Sequence, residues 1–112
     1  MLKARLQAVL DRAHAGHRYI RDSEQYGLPE FWTASLVGDC EDFALWCRDQ
    51  LAAEDIQADL VLCLTETGEG HLVCSVDGWV LDNRHRWLQR RDDLRYSWLA
   101  LGRAGVWRQI VG

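Results

Sequence analysis

The stretch Gly70-His71-Leu72-Val73-Cys74-Ser75-Val76-Asp77-Gly78-Trp79-Val80-Leu81-Asp82 reads as two strands joined by a tight turn. Asp77-Gly78 suits a two-residue type I′ loop, whose central residues both need positive φ. Val76 then pairs with Trp79, Val73 lies opposite Asp82, and His71 lies opposite Arg84. Opposed residues share a face, and diagonal neighbours stand roughly 7–8 Å apart at the backbone. The His71 imidazole can therefore meet the Asp82 carboxylate. A slip of one residue would put one of them on the wrong face. Leu72, Cys74, Val76, Trp79 and Leu81 make the opposite face the more apolar, so both faces are candidates for cover.

Upstream lies Gly38-Asp39-Cys40-Glu41-Asp42-Phe43-Ala44-Leu45-Trp46-Cys47. Asp39 suits an N-cap, with Asp42 three residues on in the manner of a capping box. The helix is expected to run to about Ala53. Cys40, Ala44, Cys47 and Leu51 form one stripe, which Phe43 and Trp46 widen. Leu2, Leu6, Val9, Leu10 and Ala13 recur at helical spacing and predict an amphipathic helix from residue 2 to about 17. Tyr19 to Leu36 holds the only proline, Pro29, beside Phe31-Trp32. It reads as an ordered connection because its aromatics need burial.

Ile56 to Thr65 predicts a strand, Thr67 to Gly70 a turn, and Trp79 to Asn83 the return of the hairpin. Tyr96–Leu101 and Val106–Val111 are further strand candidates. Helices followed by an antiparallel meander predict an α+β class, with the central helix against the sheet.

The chain has 112 residues, enough for one domain spanning 1–112. A net charge of −4 argues against general nucleic-acid binding. Acids dominate from Glu30 to Asp59 and bases from Arg84 to Arg95; solvated faces are the plain reading of both. No run is long enough to span a bilayer, and the N-terminus lacks the pattern of a signal peptide. The expected location is the cytoplasm, with the periplasm reserved for a processed form. The four cysteines lack C-x-x-C spacing, so reduced thiols are expected.

Cys40 stands where exposed helix N–H groups and the helix dipole favour a thiolate. His71 could hold that thiolate as an ion pair and then protonate a leaving amine. Asp82 would orient the imidazole, and the Cys40 N–H is a natural oxyanion donor. Asp39 and Glu41 oppose this, because carboxylates beside a thiolate disfavour it. A Ca²⁺ ion would offset them; alternatively, they simply cap the helix. Cys47, Cys63 and Cys74 read as small core residues, and His14 and His17 as surface or packing groups. His85 rivals His71 as the partner of Asp82.

Several motifs resemble the bacterial transglutaminase-like cysteine proteinases. They are Trp32-Thr33, Gly38-Asp39-Cys40-Glu41-Asp42-Phe43-Ala44, Gly70-His71-Leu72-Val73 and Val80-Leu81-Asp82-Asn83, with Arg18–Asp22 through Tyr26-Gly27 leading in. The resemblance implies a papain-like, transglutaminase-like fold with Cys40 as nucleophile, His71 as base and Asp82 as orienting acid. It implies calcium-associated acids at Asp39 and Glu41, an aromatic flank at Trp32, a protein or peptide substrate, and a regulatory protein partner. The short link between Trp32 and Cys40 and the missing export signal suggest a small cytoplasmic relative, of phage or mobile-element origin. Two other functions fit the same residues. One is a glutamine acyltransferase or deamidase. The other is a binding module using the cleft or the basic 84–95 segment, with neither nucleic acid nor membrane as partner.

Overall fold

In the computed structural model the described residues are 2–15, 38–103 and 106–110, with Gly38 and Asp39 described by backbone alone. The Asp77-Gly78 turn forms as its residues require, with φ of 51° at Asp77 and 82° at Gly78. It joins β2 (Gly70–Val76) to β3 (Trp79–Leu81). The register is the expected one: Val76 pairs with Trp79, Ser75 with Val80 and Cys74 with Leu81. The pairing stops there. Val73–Asp82 and His71–Arg84 do not form, because Asp82 Oδ1 accepts the Arg84 N–H at 2.9 Å. Its carbonyl also accepts the His85 N–H at 3.2 Å. An aspartate that turns its own backbone in this way ends a strand.

The sheet is antiparallel, in the order β4-β3-β2-β1-β5-β6. Its other strands are β1 (Asp59–Leu64), β4 (Gln89–Arg90), β5 (Ser97–Arg103) and β6 (Val106–Gln109). The expected meander therefore holds only from β1 to β4. The chain then crosses four inter-strand steps, roughly 19 Å, to reach the far side of β1. The crossing segment passes over one face of the sheet, starting with a 3₁₀ turn, Arg91–Asp93. It lays Leu94 and Tyr96 on Val61, Cys63, Val73 and Val80. The β4 strand, inside the basic segment, was not expected from sequence.

The other face carries two helices, α1 (Leu2–His14) and α2 (Gly38–Ala53). Leu6, Val9, Leu10 and Ala13 of α1 are buried, as their spacing predicts. The stripe of α2 (Cys40, Phe43, Ala44, Cys47, Leu51) is buried too, packed with Leu60, Leu62, Leu72, Cys74 and Leu81 of the sheet. So alternate residues of β2 enter two different cores, which accounts for its nearly continuous burial. The helical backbone starts at Gly38, which puts Asp39 in the first turn rather than before it. Positions 16 and 17, and the whole Tyr19–Leu36 connection, lie outside the described residues. Among the described residues no helix is long and apolar enough to cross a membrane.

Candidate active site

The first turn of α2 brings Cys40 to a cleft of about 400 Å³ that Thr65, Thr67, His71, Asn83 and Arg84 also line. His71 is the second residue of β2, opposite Cys63 of β1. Its Nε2 lies 2.7 Å from Asp82 Oδ1. The imidazole also hydrogen-bonds the Cys40 side chain. Sequence reasoning named these three residues, and the structure brings them together around one imidazole.

His71 and Asp82 are both buried, at 4% and 1% exposure. Burial disfavours the charged imidazole, but hydrogen bonds and charge from Asp82 and Cys40 outweigh it and raise the His71 pKa to about 9. Burial likewise disfavours the Asp82 carboxylate. The bonds from His71, Tyr96 and the Arg84 N–H outweigh that and hold its pKa below the usual range. The result is a pair whose charged form is favoured.

The remaining cysteines behave as core residues. Burial pushes the Cys47 thiol up to about 12 and also raises Cys63 and Cys74. Cys63 Sγ donates to the His71 carbonyl at 3.4 Å. No disulfide joins any of the four.

Glu41 holds an oxygen, Oε1, that is buried with no hydrogen-bond partner. The Asp39 side chain and all of Trp32 lie outside the described residues. Among the described residues, no group of three metal-binding side chains comes together.

His14 is the packing group that the sequence allowed, and it makes hydrogen bonds besides. Its Nε2 donates to the carbonyls of His85 at 2.7 Å and Asp82 at 3.3 Å. Its ring packs on Phe43 of α2 with centroids 4.9 Å apart. His85, the rival for Asp82, faces the other carboxylate oxygen, with Nε2 3.9 Å from Oδ2. Arginines of the basic segment are engaged rather than free in solvent. Arg84 pairs with Glu66, and Arg90 stacks over Trp79 at 4.7 Å.

Sequence reasoning missed Tyr96. Its hydroxyl donates to Asp82 Oδ2 at 2.6 Å and accepts from Arg84 Nη1 at 3.0 Å. Its ring meets His71 edge-on at 5.6 Å. Tyr96 was visible only as the start of a strand; the crossing of the sheet is what brings it to the site.

The family described as bacterial transglutaminase-like cysteine proteinase BTLCP matches residues 2–112. No curated protein matches the chain. Calcium-bound LapG of Legionella pneumophila superposes with a TM-score of 0.72 at 18% identity, over 97% of this chain and 69% of that one. EGTA-treated LapG of the same organism gives a TM-score of 0.73 at 16% identity, over 100% and 69%. At such identity these likenesses establish a shared fold.

Proposed function

This chain belongs to the bacterial transglutaminase-like cysteine proteinases, and from that premise we propose that it cleaves a protein substrate with Cys40, His71 and Asp82. It is a cysteine protease of the transglutaminase-like type. What supports this set of residues is one observation: the His71 imidazole bonds Asp82 through Nε2 while Cys40 shares the same ring and cleft.

The steps follow from that arrangement. The Cys40 thiolate attacks the carbonyl carbon of the scissile peptide, and a C–S bond forms. The oxyanion that develops is held by the Cys40 N–H at the start of α2. The His71 imidazolium gives its proton to the leaving amine as the C–N bond breaks. A thioester remains on Cys40. His71, now neutral, takes a proton from water, whose oxygen attacks the thioester and releases the acid. Asp82 keeps the ring oriented and favours its charged form throughout.

Calcium fits one feature of the site. The unpartnered, buried Glu41 Oε1 is the sort of hard oxygen that Ca²⁺ takes. The solved relatives include a calcium-bound and an EGTA-treated form. Glu41, with Asp39 on the other side of Cys40, would hold the ion. Its charge would offset two carboxylates beside the nucleophile. Thermal unfolding with Ca²⁺ and with EGTA tests this. The midpoint should rise with Ca²⁺ in the wild type and not in Glu41→Gln. An unchanged wild-type midpoint removes the ion from the account.

The triad is tested by iodoacetamide alkylation at pH 6–7, with the labelled sites mapped by mass spectrometry. Cys40 should react at least roughly tenfold faster than Cys47, Cys63 and Cys74, and His71→Ala should remove that advantage. Equal rates at all four thiols would overturn the assignment.

A further inference from the structure

Asp82 is held by more than its histidine. Its Oδ1 accepts from His71 Nε2 and from the Arg84 N–H, at 2.7 and 2.9 Å. Its Oδ2 accepts from the Tyr96 hydroxyl at 2.6 Å. The phenol is itself fixed. Arg84 Nη1 donates to its oxygen at 3.0 Å, and the Arg84 guanidinium lies 5.5 Å from the ring centroid. Arg84 is fixed in turn by Glu66, with Nη1 3.0 Å from Oε2. Glu66 sits in the turn between β1 and β2, whose neighbours Thr65 and Thr67 line the cleft beside Cys40.

An ordered chain thus runs from the rim of the cleft to the buried carboxylate: Glu66, Arg84, Tyr96, Asp82. A carboxylate has two oxygens and a soft terminal torsion. One bond to a histidine does not hold its plane. With a donor on each oxygen, the plane is set and Oδ1 stays aimed at His71.

Resting on the assignment of Cys40, His71 and Asp82, we propose that Tyr96 is a positioning residue of the site. Its hydroxyl, clamped by the Arg84–Glu66 pair, fixes the Asp82 carboxylate so that Oδ1 is presented to His71. The Tyr96 ring packs edge-on against His71, and its hydroxyl acts through Asp82. Without the phenol, Oδ2 is a buried anionic oxygen facing His85 Nε2, 3.9 Å away. The carboxylate then turns toward His85, and His71 loses its acceptor.

The test is the ¹⁵N-imidazole titration of His71, measured on Tyr96→Phe and the wild type, with Cys40 alkylation by iodoacetamide at pH 7 as the second readout. The groups around the imidazole that must be followed are Cys40 from α2, Cys63 from β1, and Asp82, Arg84 and His85 from the segment after β3. Glu41 beside Cys40, Glu66 and Glu69 on the turn between β1 and β2, and His14 from α1 are followed with them. In Tyr96→Phe the His71 midpoint should fall by about one pH unit or more, and Cys40 alkylation should slow by roughly tenfold. An unchanged midpoint overturns the proposal. A raised midpoint also overturns it, since the phenol would then only draw charge from Asp82 without orienting it.

A variant that does not fold is replaced by Glu66→Gln, an exposed change that loosens Arg84. It should shift the His71 midpoint in the same direction by a smaller amount, and no shift there would count equally against the proposal. Failure of the underlying triad looks different: wild-type Cys40 would react no faster than the other thiols, whatever stands at position 96.

Discussion

At the scale of single residues, the His71–Asp82 pair links the site to stability. An unfolded histidine titrates near 6.5, whereas the folded His71 titrates near 9. The folded state therefore binds the proton more tightly. The stabilisation is fully present below pH 6.5 and is lost as pH rises through about 9. Its size is on the order of 3 kcal/mol. Urea denaturation between pH 6 and 9 should show stability falling across that window, and His71→Gln should flatten the fall. A wild-type profile that is level there would show that the imidazole is not held as a cation. Above that window buried thiols take over. Cys47, with a folded pKa near 12 against an ordinary 9.0, costs stability only where the unfolded thiol ionises. The participants of this pair were legible because a turn with a strict conformational demand set their register. Tyr96 was not, since no local pattern marks a residue whose partner lies across a sheet.

At the scale of elements, the hairpin shows how much local chemistry can settle. Asp77-Gly78 needs positive φ, adopts it, and the ladder follows from Val76–Trp79. The end of β3 was less legible. Alternation of side chains says which face Asp82 shares, but a strand also ends when a side chain outcompetes the ladder for backbone N–H groups. Asp82 does this, and the carbonyls released need other donors. His14 of α1 supplies them to Asp82 and His85 while packing on Phe43. One imidazole thus ties both helices to the loop that carries the acid. His14→Leu keeps the packing volume but removes the His14 donor from the His85 carbonyl and leaves the Asp82 carbonyl only the His85 N–H. The expected cost is about 1–3 kcal/mol, read as a lower urea midpoint, with faster amide exchange at Arg84 and His85. Unaltered exchange in that loop would mean that its own turn holds it without help from α1.

At the scale of the whole molecule, the site lies where two layers of packing meet at one end of the sheet. Cys40 belongs to the core between α2 and the sheet, whereas Tyr96 belongs to the core on the other face. His71 reaches both because it stands near the start of β2, one of the two central strands. That two-sided arrangement was only partly legible. The apolar face opposite His71 left both faces of the hairpin as candidates for cover. What covers the second face is the crossing from β4 to β5, which carries no periodic pattern and falls within a segment dominated by arginines. The arrangement also separates stability from site geometry along α2. Leu51 is fully buried at the far end of the helix, eleven residues and roughly 16 Å from Cys40. Leu51→Ala should cost about 2–5 kcal/mol by leaving a cavity, seen as a lower urea midpoint. The first turn of α2 is held independently by Phe43 against His14 and by the packing of Ala44 and Leu45. Alkylation of Cys40 in the folded variant should therefore proceed within about twofold of the wild-type rate, since contacts this far apart act additively. A Cys40 rate that fell together with stability would show α2 moving as a rigid lever, with the distance between thiol and imidazole set by the far end of the helix.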